Sequence, residues 1–381
     1  MFIIIVLWVA FFVINFNIVM MIPLLPFIER DLGLSPTEAG WVLAAFPIVA
    51  LASNLALGPL IDRHGRKRFI VLGAAACGGV LLLTAVAQSA ITIALGRAAT
   101  GIFMPMIGAS VFAAIPDYVA ARDRARIAGY VTSAAPIAFL CSISIGVLLG
   151  GLATWQLSLI ALAGICFGLA IAASVLPSTE ASALSHDPIS PDTYRQRLLS
   201  LSFNAGSRLL LLSYFCWSIG MYVFLGLYPS WLVQHGLADK GAGTIGIILL
   251  IGEIGGLFGA LFSGRLASRF RHPLTACAAA SIGITIITLA IPFGTERPAF
   301  QTLAYGGFAF GRDLMLALIL GSAMLLVPAG QRGSLNATLN AVYQTGATMG
   351  GLASAWLYAF RDDFSANAAI ASIIFAASAL M

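Results

Sequence analysis

The chain has 381 residues, 60% of them hydrophobic and only 9% charged, with a mean hydropathy of +0.98 and a formal net charge of +5. An ordinary soluble domain carries about a quarter charged residues, so no water-soluble fold can hide this much apolar surface. Backbone polar groups in hydrocarbon must be satisfied within each segment, which leaves helices or closed barrels; the long unbroken apolar runs exclude barrel strands of about ten alternating residues.

A hydrocarbon core of about 30 Å takes roughly 20 apolar residues per helix. Cutting the sequence at its charged and Gly/Pro-rich breaks predicts spans near 2–28, 39–61, 69–89, 91–115, 127–151 and 155–176. A second set follows near 208–232, 243–266, 273–293, 300–327, 334–359 and 366–381. The opening run from Phe2 to Ile28 is much longer than the apolar region of a signal peptide, and no small-residue cleavage site follows it, so it reads as the first membrane helix. Pro177 to Ser207 is rich in Ser and Pro, carries His186, Asp187, Asp192, Arg195 and Arg197, and is the one stretch that reads as a linker. The twelfth span reaches Met381 with barely enough residues to cross, which points to a short C-terminal tail lost from the chain. The expected fold is an all-α membrane protein of twelve transmembrane helices, with an N-terminal six-helix half over 1–176, a cytoplasmic linker over 177–207 and a C-terminal six-helix half over 208–381.

Basic residues in short loops set orientation. With the N-terminus in the cytoplasm, inside loops hold fourteen Lys and Arg residues and outside loops four, Arg30, Lys240, Arg297 and Arg361. Both termini are therefore expected in the cytoplasm and the chain in the cell inner membrane. The halves also repeat: one offset of 206 residues carries Gly58 onto Gly264, Arg63 onto Arg269, Gly101 onto Gly307, Arg126 onto Arg332 and Thr132 onto Thr338. Such gapless correspondence at helix ends and loops suggests two pseudo-symmetric parallel repeats, between which transporters place substrates near the midplane.

Ionisable groups at membrane depth cost ~2.5–3.5 kcal/mol on insertion scales and are functional hypotheses by default. Arg97, Glu253, Arg312 and Asp313 qualify. Glu253, in the middle of the eighth span, is either a proton carrier or a carboxylate merely hydrogen-bonded to a neighbouring helix. Arg312 and Asp313 are consecutive in the tenth span, hence ~100° apart around the helix, and are not expected to face each other. One is expected to reach a cavity and the other a different helix; an Arg312–Glu253 pair is open. Arg97 either snorkels toward the outer face or serves coupling.

Tyr214, Trp217, Met221, Phe224, Tyr228 and Trp231 recur at spacings of three and four along the seventh span and form one stripe. A stripe of this kind either packs helices or contacts substrate, and Tyr228 and Trp231 also fit an interfacial belt. Phe308, Arg312 and Met315 recur likewise in the tenth span. Asn336, Asn340, Tyr343 and Gln344 in the eleventh, and Asn15 and Asn17 in the first, are candidate polar walls. The five cysteines are scattered singly, and the four histidines sit in loops or at helix ends without metal spacing or a Ser-His-acid arrangement. Glycines 252 to 259 lie inside a membrane helix with no preceding strand, which makes them packing surface and not a phosphate cradle. Neither an enzyme nor a cofactor or metal is expected.

After the second span the chain reads Gly58-Pro-Leu-Ile-Asp62-Arg63-His64-Gly65-Arg66-Lys67-Arg68. This looks like the G-x-x-x-D-R-x-G-R-[RK] loop of the major facilitator superfamily. Gly58 permits close helix approach, Asp62 puts a carboxylate at the helix end, Gly65 permits a tight turn, and Arg66 can fork onto carboxylates. Arg97-Ala-Ala-Thr-Gly101 is similar to the family's R-x-x-Q-G, with Thr100 in place of Gln. The second half holds a reduced copy, Gly264-Arg-Leu-Ala-Ser268-Arg269, in which Ser268 stands where Asp62 does. Ser142 to Gly151 resembles the antiporter motif G-x-x-x-G-P-x-x-G-G with its first Gly and its Pro replaced.

The resemblance covers nearly the whole chain and is nearest to twelve-helix bacterial drug and metabolite exporters. It implies a cavity lined chiefly by helices 1, 4, 7 and 10, alternating access by rocking of the halves, and a proton gradient as energy source. It further implies a cytoplasmic lock made by Asp62, Arg66 and Asp117 within Gly58, Asp62, Arg63, Gly65, Arg66 and Asp117. The expectation is a proton-coupled exporter of small organic compounds. Glu253, Asp313 and Arg97 are the coupling candidates, and Asn17, Trp217, Met221, Phe224, Phe308, Arg312, Met315, Asn340 and Tyr343 the substrate-binding candidates. The expected partners are the lipid bilayer, a small-molecule substrate and protons, with no nucleic acid, and the chain is expected to be a monomer. An uptake permease for a small organic acid or sugar, with Arg97 or Arg312 on the carboxylate, is the rival; a channel or sensor on the same fold is a further one.

Overall fold

The computed structural model is almost wholly helical and describes residues 1–120, 123–142, 154–177, 205–235, 237, 242–270, 273–326, 332–361 and 364–380. In chain order the helices are α1 Phe2–Leu32, α2 Pro36–His64, α3 Arg66–Ala85, α4 Ala90–Tyr118, α5 Arg124–Thr132 and α6 Trp155–Ser174. There follow α7 Ala205–Leu225, α8 Tyr228–His235, α9 Ala242–Arg269, α10 Pro273–Ala290, α11 Pro298–Leu326, α12 Arg332–Arg361 and α13 Ser365–Leu380. Among the described residues, nine helical stretches are long and apolar enough to cross a membrane. The chain is a multi-pass, almost wholly helical membrane protein.

Local chemistry explains the helix ends. Ser35 and Glu38 open α2 with a capping box: the Ser35 N–H and hydroxyl both donate to Glu38 Oε2 at 2.9 and 2.7 Å, and Glu38 N–H donates to Ser35 Oγ. Ser89 and Thr92 do the same at the start of α4. α2 and α3 are separated by Gly65 alone, at φ 87°, a conformation that L side chains rarely adopt. The motif glycine thus reverses the chain in a single residue.

Two expected spans are interrupted. The fifth stops at Thr132, turns at Ser133 and resumes over 134–142; the antiporter-like stretch beyond Ser142 lies outside the described residues. The seventh breaks between α7 and α8, where the Gly226 N–H bonds Tyr222 O and a Cβ at Gly226 would fall 2.8 Å from that same oxygen. Most of the predicted linker, from 178 to 204, also lies outside the described residues. α12 is long enough to span, but its Asn, Gln, Thr and Tyr residues keep it out of the apolar set.

The chain divides into two compact units, Met1–Leu34 with Ala45–Pro188, and Ser35–Ala44 with Ile189–Met381. In the first, α3 packs on α4 and α6; in the second, α9 packs most closely on α11, α7 on α12 and α13, and α10 on α11 and α13. The 206-residue offset carries α2 onto α9 and α4 onto α11 to within two residues at each end.

The α9–α11 contact is so close because α9 presents glycine to α11. A Cβ at Gly255 would fall 2.6 Å from Gly306 O, and one at Gly252 or Gly259 would collide with the Tyr305 ring or the Phe310 carbonyl. Small residues let membrane helices approach backbone to backbone, where dispersion and not the hydrophobic effect holds them together. Gly259→Ala should therefore force the helices apart and cost about 1–3 kcal/mol, whereas Gly264→Ala, with open space around its Cβ, should be neutral or slightly stabilising. Unfolding in detergent, followed with a thiol-reactive dye that reports exposure of buried Cys77, Cys166 and Cys277, checks both.

Candidate functional site

Between α9 and α11 the second unit gathers three charges, two of them buried. Glu253 follows Gly252 on α9, and Arg312 and Asp313 lie on α11, two turns beyond Tyr305. Arg312 offers both edges of its guanidinium fork. On one edge Nη1 and Nη2 donate to Glu253 Oε1 and Oε2 at 2.9 and 2.6 Å; on the other Nε and Nη2 donate to Asp313 Oδ1 and Oδ2, both at 2.8 Å. The Tyr305 hydroxyl adds a third donor to Glu253 Oε1 at 2.8 Å. Gly256 provides the seat of Asp313, since a Cβ there would run into its carboxylate.

The Arg312 and Glu253 side chains are 1% and 2% exposed and that of Asp313 is 21% exposed. One guanidinium facing two carboxylates leaves an excess negative charge in a membrane-spanning unit, which a single proton neutralises. Isolated charges in such surroundings are prohibitive, and bidentate charge-assisted bonds are the arrangement that makes them tolerable.

The Arg312–Asp313 pairing corrects the expectation that consecutive residues on a helix do not meet. The 100° step separates their Cα–Cβ vectors, but the long arginine chain folds back once Glu253 holds its far edge. The aromatic stripe of the seventh span lies against other aromatic rings. Trp217, Met221, Phe224, Phe308 and Met315 are all buried in the second unit. Phe224 lies 4.4 Å from Phe308 and 5.3 Å from Phe364 between ring centroids, and Trp217 Nε1 donates to Arg312 O at 3.2 Å. Tyr228 and Trp231 are no interfacial belt either: both are buried, and the Tyr228 hydroxyl donates to Gln301 Oε1 at 3.0 Å. The break at Gly226 turns them inward.

Of the polar candidates on α12, Asn340 is exposed, Gln344 buried and Tyr343 half-buried; the side chain of Asn336 lies outside the described residues. The Tyr343 ring stacks 6.2 Å from Tyr214, and its hydroxyl lies 3.0 Å from that of Tyr222.

In the first unit Arg97 is 5% exposed, so it does not snorkel. Its Nη1 donates to both Asn17 O and Asn17 Oδ1, at 3.1 and 3.2 Å, and its guanidinium lies 4.8 Å from the Phe46 ring centroid. Thr100, at the position of the family's Gln, turns its hydroxyl onto Arg97 O at 2.8 Å. Of the lock residues, Arg66 forms an ion pair with Asp117, tying the start of α3 to the end of α4, and Lys67 donates to Leu176 O. The side chains of Gly58, Asp62 and Arg63 lie outside the described residues. Asn15 only closes on its own helix, at Phe11 O.

Three side chains escaped the sequence reading. Tyr305 is one, though its two-turn spacing from Arg312 was visible. Asn367, whose amide donates to Val223 O, Ser354 O and Ser354 Oγ, and Trp155, whose Nε1 donates to Asp31 Oδ2 at 2.8 Å, are the others. Neither has a local signal. Among the described residues no group of three or more His, Cys, Asp or Glu side chains is placed to hold a metal ion.

A multi-pass helical chain with an ion cluster at helix–helix contacts has the architecture of a membrane transporter. The sequence profile of the Major Facilitator Superfamily matches residues 7–351, and the chain belongs to that family. It is 24% identical to the MFS-type transporter YceJ of Bacillus subtilis over 97% of this chain and 93% of that one. It is 25% identical to the purine ribonucleoside efflux pump NepI of Salmonella paratyphi B over 85% and 77%. The solved structure of the nucleoside transporter NupG matches with a TM-score of 0.74 at 15% identity, covering 98% of this chain and 96% of that one. A D-xylose-proton symporter also scores 0.74, at 12% identity over 99% and 95%. These likenesses to solved structures show the shared fold.

Removing the guanidinium should be costly. Arg312→Met leaves two carboxylates confronting each other and should destabilise the protein by roughly 3–5 kcal/mol, whereas Arg312→Met with Glu253→Met should recover most of that loss. The same thiol-dye unfolding, run on both variants, checks the order.

Proposed function

We propose that the protein is a proton-coupled exporter of small organic compounds that works by alternating access in the inner membrane, with both termini in the cytoplasm. The observation that carries this reading is the buried Glu253–Arg312–Asp313 cluster: two carboxylates share one guanidinium, so the site has room for one proton without acquiring net positive charge. A purely structural helix contact has no need of the second acid. Similarity to a purine ribonucleoside efflux pump over 85% of the chain supports export and makes purine ribonucleosides the first substrates to test.

In everted vesicles energised by respiration, inosine or guanosine added outside should alkalinise the lumen as protons leave in exchange for substrate. No alkalinisation with either nucleoside or with a panel of amphipathic drugs, at normal expression, overturns proton antiport. Neutralising the acid that carries the proton, tested as the single variants Glu253→Gln and Asp313→Asn, should abolish gradient-driven accumulation yet spare energy-independent exchange, which moves no net proton; full accumulation by both variants overturns the cluster as the coupling site.

The lock enters through Arg66 and Asp117, whose ion pair holds the α2–α3 turn of the motif against the end of α4. Asp117→Asn frees Arg66 from that anchor and should lower the transport rate several-fold, with membrane insertion measured by immunoblot unchanged. Asp62→Asn should do the same.

A further inference from the structure

We infer that the two carboxylates of the cluster divide the work, Asp313 exchanging the proton and Glu253 remaining ionised as the fixed counter-charge of Arg312; this rests on the proton-coupled reading above. Two acids bonded to one guanidinium look equivalent in a sequence, and their surroundings separate them.

Access is the first difference. Protein covers all but 2% of the Glu253 side chain, whereas it leaves 21% of the Asp313 side chain uncovered, so a proton reaches Asp313 without parting packed groups. The second is hydrogen bonding. Glu253 accepts from three donors, Arg312 Nη1, Arg312 Nη2 and the Tyr305 hydroxyl, and Asp313 from two, Arg312 Nε and Nη2. Each donor to a carboxylate favours its ionised form. The third donor to Glu253, the Tyr305 hydroxyl, belongs to a side chain that is itself buried.

The third difference is what each protonation leaves behind. When Asp313 takes the proton, its bonds from Nε and Nη2 lose their charge, and the Arg312–Glu253 pair remains a closed, bidentate, neutral unit still braced by Tyr305. When Glu253 takes it, the bond that ties α9 to α11 loses its charge, and the surviving pair, Arg312 with Asp313, lies within one helix. Only the first course keeps an ion pair between the two helices throughout a proton cycle.

The ionisable groups around the pair do not upset this ordering. Arg312 and Tyr305 come from α11 itself and Glu253 from α9. α7 brings Tyr214 beside Trp217, and Tyr343 on α12 lies within reach of the Arg312 charge. α10, also packed on α11, contains no charged residue.

The test reads the protonated carboxyl group directly, without a substrate. The full-length protein is reconstituted in lipid nanodiscs, and infrared difference spectra are taken between acidic and alkaline buffer in water and in deuterium oxide. The expected result is one protonated-carboxyl C=O component that disappears in Asp313→Asn, persists in Glu253→Gln, and returns at a shifted frequency in Asp313→Glu. A component that survives Asp313→Asn and vanishes in Glu253→Gln overturns the assignment but leaves proton coupling standing. A component unchanged in both variants overturns it too, and wild-type alkalinisation of everted vesicles then tells whether coupling resides on another group or is absent. Should Glu253→Gln fail to fold, loss at Asp313→Asn and return at Asp313→Glu decide the assignment by themselves.

Discussion

The second unit is organised around the need to keep Arg312 charged where there is almost no water. A guanidinium at that depth is tolerable only with both edges of its fork occupied, and each neighbouring feature serves that end. The glycines of α9 bring Glu253 within reach of α11, and Gly256 leaves room for Asp313. Tyr305 takes up a remaining lone pair of Glu253, and Trp217 caps the backbone carbonyl of Arg312 itself. Tight packing and ionic pairing are thus one construction here, because the bonds of 2.6–2.9 Å require the backbones to be close.

Much of the fold was legible in the sequence because lipid imposes a simple rule. Apolar stretches of about 20 residues between polar breaks had to be helices, and α2, α3, α4, α9 and α11 begin and end near the breaks read from composition. The motif around Gly65 announced a tight turn, and the φ of 87° is that turn. The site was less legible, for physical reasons. Which acid meets Arg312 depends on how α9 and α11 are rotated and how near they stand, and those follow from contacts between residues more than fifty positions apart. Tyr305 looked like one more aromatic until Glu253 was opposite it. The stripe from Tyr214 to Trp231 had the period of a buried face as much as of a pocket wall, and period alone does not say what stands opposite. Here Phe308 and Phe364 do.

The two halves share a frame and differ in chemistry. The offset that superposes α4 on α11 sets Arg312 against Met106, Glu253 against Pro47, Arg97 against Leu303 and Asp117 against Ala323. No buried charge is copied. The repeat explains where the helices are, and each unit has its own polar equipment: Arg97 with Asn17 and Phe46 in the first, Arg312 with two acids in the second. Internal symmetry of this sort supplies matched scaffolds on which unlike functions can be set.

The polarity of α12 carries a consequence for how the protein is made. A segment that opens on Arg332 and holds Asn336, Asn340, Gln344 and several threonines partitions poorly from the translocon into bare lipid, since each such group raises the insertion free energy. Its stability in the bilayer has to come from neighbours already present or arriving with it. Asn367 of α13 bonds the Ser354 carbonyl and hydroxyl of α12 and the Val223 carbonyl of α7, and the Ser218 hydroxyl of α7 bonds Tyr343 O. The polar groups of α12 and α13 are thus matched to α7, so that these three helices are stable in the bilayer as a set.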